Sequence, residues 1–280
     1  MKRLSILTDG KPGHENQSMA LAEALQRRCA CEIEIRPYKE WRTLSNPDLV
    51  ISAGHKTHLP LLRAKWKYAA QSAVLMRPSL PAFCFDYIIA PEHDFPHGEP
   101  NQQTLLTQGM LCRLPEELTE KQGQSMILIG GPSKHYGWDT SDMLNQIHEA
   151  ISKSPHPVIL TDSRRTPLDT RSQLATIPNI QYYPWEDTER GWLPSQLAVS
   201  DTVWVSCDSM SMIYESLTSG AEVGLLSVPV AQQPTRITQS VDALIRDQKV
   251  RTLTSSHFSP PNHFHEAARI ADVLLKKLSW

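Results

Sequence analysis

Short runs of β-branched and aliphatic residues recur along this chain, at residues 4–7, 33–35, 49–53, 73–76, 87–90 and 104–107, with helix-forming stretches between them. A helix between two strands acts as a crossover, returning the chain to run parallel to the strand it left. The expected fold is therefore α/β, a parallel sheet covered by helices. The first helix is legible in Leu21, Ala22, Leu25 and Cys29, which share one face, and it is expected to begin close to Asn16. A second series follows at 126–129, 158–160, 203–205 and 223–226, with a helix over 140–151 that carries Met143, Leu144, Ile147 and Ile151 on one side.

Two such series in 280 residues imply two Rossmann-like halves. The polar run 114–124, with Pro115 near one end and Gly123 near the other, reads as the linker. The expected division is a first domain over 1–118, a second over 119–262 and a terminal helix over 263–280. In that helix Ala267, Ile270, Ala271, Leu274 and Leu278 share one face. The plain reading of this pattern is core packing; in two-domain α/β enzymes such a helix often crosses back to the first domain, and that is the expectation here.

Composition narrows the function classes. A formal net charge of -2 gives no global attraction to nucleic acid or to an anionic bilayer. The five cysteines are odd in number and lack CxxC pairing, which argues against a disulfide framework or a zinc knuckle and for a reducing, cytoplasmic setting. Asp9 and Lys11 cut the opening apolar stretch too short for a signal peptide, so it reads as a first strand. With no apolar run near the ~20 residues of a membrane span, any membrane contact is expected to be peripheral.

Polar residues gather where strands end, the edge at which open α/β sheets bind ligands. The first strand runs into Asp9, Gly10, Lys11, Gly13, His14, Asn16 and Gln17, and the third into Gly54, His55 and Lys56. Arg77 follows the fourth. The second half opens with a strand entering Gly130, Gly131, Ser133 and Lys134, where glycine amides, a hydroxyl and an ammonium group suit a pyrophosphate. Trp138, further along the same loop, offers a face to a base or sugar. A later strand ends in Asp162, Arg164 and Arg165, an arginine pair suited to phosphate oxygens. The most specific turn is Asp208, Ser209, Ser211, Met212 and Glu215, in which helical spacing sets Ser211 and Glu215 on one face. A carboxylate there can accept from two ribose hydroxyls while the helix end holds a diphosphate. The plainer alternative is a helix cap at Asp208 or Ser209 with an exposed Glu215. The histidines lack metal-ligand spacing, and no metal or cofactor is expected.

Taken together, Asp9-Gly10-Lys11-Pro12-Gly13-His14-Glu15-Asn16-Gln17, Gly130-Gly131-Pro132-Ser133-Lys134-His135-Tyr136-Gly137-Trp138, and the Asp208–Met212 turn with Glu215 resemble the bacterial relatives of the plant mitochondrial-fission protein named for elongated mitochondria. Thr161-Asp162-Ser163-Arg164-Arg165 and Thr107-Gln108-Gly109 extend the resemblance over nearly the whole chain. That family is similar in segment order to GT-B glycosyltransferases, whose two facing Rossmann-like domains hold a nucleotide sugar, mainly in the second, without a metal. The resemblance implies transfer from a nucleotide-sugar donor to an unknown acceptor, in envelope polysaccharide or lipopolysaccharide synthesis. On this reading the glycine turns face one cleft, and His14 or Asp9 serves as general base. A nucleotide-sugar epimerase and a catalytically silent nucleotide-sugar sensor or scaffold are the alternatives.

Overall fold

The computed structural model describes residues 1–95, 101–117, 119–189, 191–255 and 264–280. They fall into two units, one of Met1–Arg113 with His265–Trp280 and the other of Leu114–Phe264. Residues 118 and 262, where the sequence places its boundaries, lie outside those described.

In the first unit β1 (Lys2–Thr8), β2 (Cys31–Pro37), β3 (Leu49–Ala53), β4 (Gln71–Leu75), β5 (Tyr87–Pro91) and β6 (Thr104–Thr107) form one sheet in the order β2-β1-β3-β4-β5-β6. Every neighbouring pair is parallel. β3 is buried along its whole length, as a parallel strand covered on both faces must be. On one face lies α1 (Pro12–Gln26), whose Leu21, Ala22 and Leu25 pack with Leu4, Ile6 and Ile51. On the other lies α2 (His58–Tyr68), whose Leu61, Leu62 and Ala64 meet Val50, Val74 and Phe85.

The C-terminal helix (Glu266–Leu278) belongs to this unit and crosses back to it from the end of the second. Ala267, Ile270, Ala271, Leu274 and Leu278 join the core under α1. Arg28 pairs with Asp272 at 2.6 Å, and the Gln108 amide donates to Glu266 Oε2 at 2.8 Å.

In the second unit β7 (Ser125–Leu128), β8 (Val158–Thr161), β9 (Ile180–Tyr183), β10 (Thr202–Ser206), β11 (Glu222–Leu226) and β12 (Arg251–Thr252) are ordered β12-β11-β10-β7-β8-β9, again all parallel. The helices are α3 (Thr140–Lys153), α4 (Leu168–Leu174), α5 (Trp192–Val199), α6 (Met210–Thr218) and α7 (Arg236–Arg246). β9 and β12 escape the sequence reading because they are short edge strands, only partly buried, and lack an apolar run.

One expected boundary moves. α1 starts at Pro12, so Asn16 is not its cap but an exposed residue of its second turn. Proline at the first helical position has its φ preset for a helix and has no N–H to leave unsatisfied. Gly13 and His14 thereby belong to the first turn of α1.

Chain order reverses between β1 and β3 in the first sheet and between β7 and β10 in the second. Connections leave in opposite directions at such a point, opening a crevice beyond the carboxyl ends of the two strands. The turns that follow those four strands are the ones singled out in the sequence.

Candidate functional site

In the second unit the Gly130-Gly131 turn meets the end of β10. The Gly130 amide donates to Ser206 Oγ at 2.7 Å and the Gly131 amide to Asp208 Oδ2 at 3.0 Å. These donors are engaged inside the protein, which corrects the expectation that they face a pyrophosphate. The glycines are needed for space. A Cβ on Gly130 would overlap the Asp208 carboxyl, and one on Gly131 would run into the Arg165 carbonyl and lie 2.8 Å from the Thr166 nitrogen.

Asp208 and Arg165 brace this junction. The Asp208 side chain is fully buried and pairs through Oδ2 with Arg165 Nη2 at 2.7 Å, while Oδ1 has no hydrogen-bond partner among the described residues. Arg165 Nη1 also donates to the carbonyls of Gly131 and Pro132. Its guanidinium thus folds inward instead of forming a forked phosphate clamp with Arg164, which lies over the Trp185 ring, 5.6 Å from its centroid. Asp162 is likewise buried and fully engaged. It accepts from the Trp185 amide at 2.7 Å and the Tyr182 hydroxyl at 3.0 Å and pairs with Arg171 at 2.7 Å, so it has no face to offer a ligand. Arg171, Tyr182 and Ser206 carry no signal in the sequence, because each acts through a partner remote in the chain.

Ser133 closes its own turn, its Oγ accepting from the amides of His135 and Tyr136 at 3.1 and 3.2 Å. Lys134 is exposed. The Trp138 indole N–H is tied to Thr170 Oγ1 at 2.9 Å.

The open donors are at α6 instead. Ser209 occupies its N-cap without making a capping bond, and Asp208 is turned toward Gly131. Among the described residues the amides of Met210, Ser211 and Met212 have no acceptor. Such a helix end carries partial positive charge and geometrically aligned donors, the requirements of an anion site. One turn on, Glu215 lies on the same face as the exposed Ser211. Glu215 is half-buried, its carboxyl is pushed up to about 7 by burial, and its oxygens find no hydrogen-bond partner among the described residues. An unpartnered carboxylate beside an uncapped helix end is an arrangement that folding alone does not favour.

In the first unit Asp9 ends β1 with its side chain almost wholly buried, and His14 Nδ1 lies 3.0 and 3.1 Å from its two oxygens. The Lys11 amide donates to Asp9 at 3.2 Å, and the Lys11 ammonium lies 3.9 Å away. Burial pushes the Asp9 carboxyl up, but the Lys11 amide and the charges of His14 and Lys11 outweigh it and hold the group below its ordinary value. An ionised Asp9 keeps the imidazole proton on Nδ1 and leaves Nε2 as the basic nitrogen.

Gly54, at φ 88°, closes the other side of the ring. A Cβ there would stand 2.5 Å from His14 Cε1, a position that glycine alone leaves clear. Gly10 and Gly13 border open space, and His55, Lys56 and Asn16 are exposed. Gln17 is buried, with its amide 3.4 Å from the Gly13 carbonyl. Arg77 is held elsewhere, on the Asp94 carbonyl at 2.7 Å. The crevice between β1 and β3 therefore gathers Asp9, Lys11, His14 and Gly54. No three His, Cys, Asp or Glu side chains among the described residues converge as metal ligands.

Comparison with known proteins agrees with this architecture. A family model described as mitochondrial fission ELM1 matches residues 12–278. An uncharacterized protein of Rickettsia prowazekii, RP120, is 23% identical over 82% of this chain and 80% of its own length. Among solved structures, a putative UDP-N-acetylglucosamine 2-epimerase from Listeria monocytogenes superposes with a TM-score of 0.58 at 13% identity, covering 99% of this chain and 88% of that one. The S. aureus MnaA–UDP co-structure gives 0.55 at 14% identity, covering 100% and 97%. At these identities the structures show a shared fold, two Rossmann-like units of the GT-B type.

Proposed function

The chain belongs to the mitochondrial fission ELM1 family, and on that premise we propose that it is a GT-B-type glycosyltransferase that uses a nucleotide-activated sugar. The observation that carries this reading is the uncapped N-terminus of α6 with Glu215 one turn below it. The amides of Met210, Ser211 and Met212, with the Ser209 and Ser211 hydroxyls, supply donors for a diphosphate. Glu215 supplies the acceptor for two ribose hydroxyls. UDP bound to the similarly folded MnaA supports a uridine nucleotide as the first ligand to try.

In this reading Nε2 of His14 takes the proton of the acceptor hydroxyl, with Asp9 stabilising the imidazolium that forms. The contribution of the second unit is separate: the helix end at α6 meets the charge that develops on the diphosphate as its bond to the anomeric carbon breaks and the acceptor oxygen bonds to that carbon. As acceptor we propose an envelope polysaccharide or lipopolysaccharide, handled in the cytoplasm. A second reading, isomerisation of the sugar while it remains on its nucleotide, draws on the fold shared with a putative UDP-N-acetylglucosamine 2-epimerase.

Thermal-shift and calorimetric titration with UDP and UDP-N-acetylglucosamine tests the binding step, because a ligand of the native state raises Tm. Absence of any shift with nucleoside diphosphates and their sugars would overturn the reading. Mass spectrometry of the products then separates the chemistries. Release of nucleoside diphosphate with an acceptor supports transfer, an isomerised sugar supports the second reading, and tight binding without product identifies a sensor.

A further inference from the structure

Residues 49–85 contain no Asp or Glu, yet they carry Lys56, Arg63, Lys65, Lys67 and Arg77 in a chain of net charge -2. This acid-free stretch spans α2 and both of its flanks. Leu61, Leu62 and Ala64 face the core, and the opposite face is an exposed stripe in which Leu59, Arg63 and the pair Trp66 and Lys67 follow one another at steps of three or four residues, continued upstream of the helix by Lys56.

The apolar members of that stripe stand in solvent. Leu59 is 58% exposed and Trp66 is 72% exposed. On one flank the turn Ala82–Cys84 holds Phe83 at 78% exposure, fixed in place where Lys65 Nζ meets the Cys84 carbonyl at 3.3 Å and Asp86 at 2.8 Å. On the other flank the turn Tyr38–Thr43 is fastened to α2 by Lys67 and Tyr68, which both donate to the Arg42 carbonyl at 2.6 Å. Trp66 and Phe83 are the most exposed aromatic side chains among the described residues, and rigid elements present both.

We propose that this face of the first unit docks on an anionic lipid bilayer. Large apolar and aromatic tips set among Lys and Arg, with no Asp or Glu on α2 itself and Asp86 paired to Lys65, match the interface of a phospholipid leaflet. The rings enter the headgroup boundary and the cations meet lipid phosphates. A protein-facing patch would be expected to gather its apolar groups into a continuous surface. Here they are separated by cations. The stripe begins at Lys56, two residues after the glycine that supports His14, so the docked face lies at the rim of the β1–β3 crevice.

The test is co-sedimentation of the full chain with phosphatidylcholine vesicles made with and without phosphatidylglycerol. Two variants are compared, Lys56→Glu/Arg63→Glu and Leu59→Ser/Trp66→Ser/Phe83→Ser, all at exposed positions. Wild-type protein should bind the anionic vesicles in a salt-sensitive manner and bind neutral ones far less. At about fivefold per charge near such a surface, the double charge reversal should lower partitioning by more than tenfold. The triple variant should lose binding to a similar extent while keeping the wild-type Tm. Four results would overturn the proposal: no binding to anionic vesicles, equal binding to neutral ones, binding that survives the triple variant, or a dimer in light scattering that the triple variant dissociates.

Discussion

Glu215→Gln should make the free protein more stable and its ligand binding weaker. Burial moves the Glu215 carboxyl from its ordinary 4.5 up to about 7. Below pH 4.5 the group is neutral in both folded and unfolded chains and contributes nothing. Between 4.5 and 7 the unfolded chain ionises while the folded one stays protonated, so stability falls as pH rises, and above 7 the full cost is present. A tenfold change in proton affinity is worth ~1.4 kcal/mol, which bounds that cost at about 3 kcal/mol. Burial is the sole cause of the shift, so most of that bound should be realised, and the expected cost is of the order of 2–3 kcal/mol. The glutamine variant should therefore gain about that much in urea denaturation at pH 8, and the gain should vanish as pH falls below about 5.

Binding should move the other way. If ribose hydroxyls donate to the ionised carboxylate, only about one molecule in ten is competent one pH unit below the carboxyl's midpoint. Wild-type affinity for UDP-N-acetylglucosamine, whose doubly esterified diphosphate does not titrate near neutrality, should then be about tenfold weaker at pH 6 than at pH 8. Glu215→Gln should bind roughly 10–100-fold more weakly at pH 8 and lose the pH dependence. Calorimetry at the two pH values reads both effects. An affinity that is flat with pH in the wild type, or unchanged in the variant, would refute the ribose assignment. Absence of stabilisation at pH 8 would refute the burial argument.

Three further outcomes follow from the packing. Gly131→Ala forces a methyl group into the backbone of Arg165 and Thr166, where no rotamer relieves the overlap, and should cost about 2–4 kcal/mol in denaturant titration. A wild-type midpoint would show that the turn is looser than its geometry. Asp9→Asn keeps the shape of the Asp9–His14 pair but removes the charge that fixes the imidazole. Turnover should fall by roughly 10²–10⁴-fold with nucleotide affinity unchanged, and a parallel loss of affinity would count against a role in proton transfer. Leu274→Ala empties a fully buried position between the C-terminal helix and α1, with an expected loss of about 2–4 kcal/mol. Undiminished stability would mean that this helix is not integral to the first unit.

Much of the architecture can be read from the chain itself. Apolar runs of strand length, separated by amphipathic stretches, specify parallel α/β units because such strands are stable only when covered on both faces. Glycine and polar residues after the strands mark the edges where ligands bind. The helical spacing of Ser211 and Glu215 is a purely local property, and it places both residues on one surface whatever the rest of the chain does.

What a given polar residue faces is a different kind of information. Gly130 and Gly131 look like free donors until β10 is laid beside β7, when Ser206 and Asp208 take their amides. Asp162 and Arg165 look like ligand groups until Arg171, Tyr182, the Trp185 amide and Asp208 engage them. Strand order and the pairing of remote side chains are set by burial and hydrogen bonding across the folded sheet, and no periodicity in the sequence encodes them. The sequence by itself determined the class of fold and the turns in which a site would form. The tertiary structure decided that the Gly130-Gly131 turn is a brace, because Ser206 and Asp208 take its amides, and that the amides at the start of α6 stay open, because Asp208 is turned toward Gly131 and Ser209 makes no capping bond.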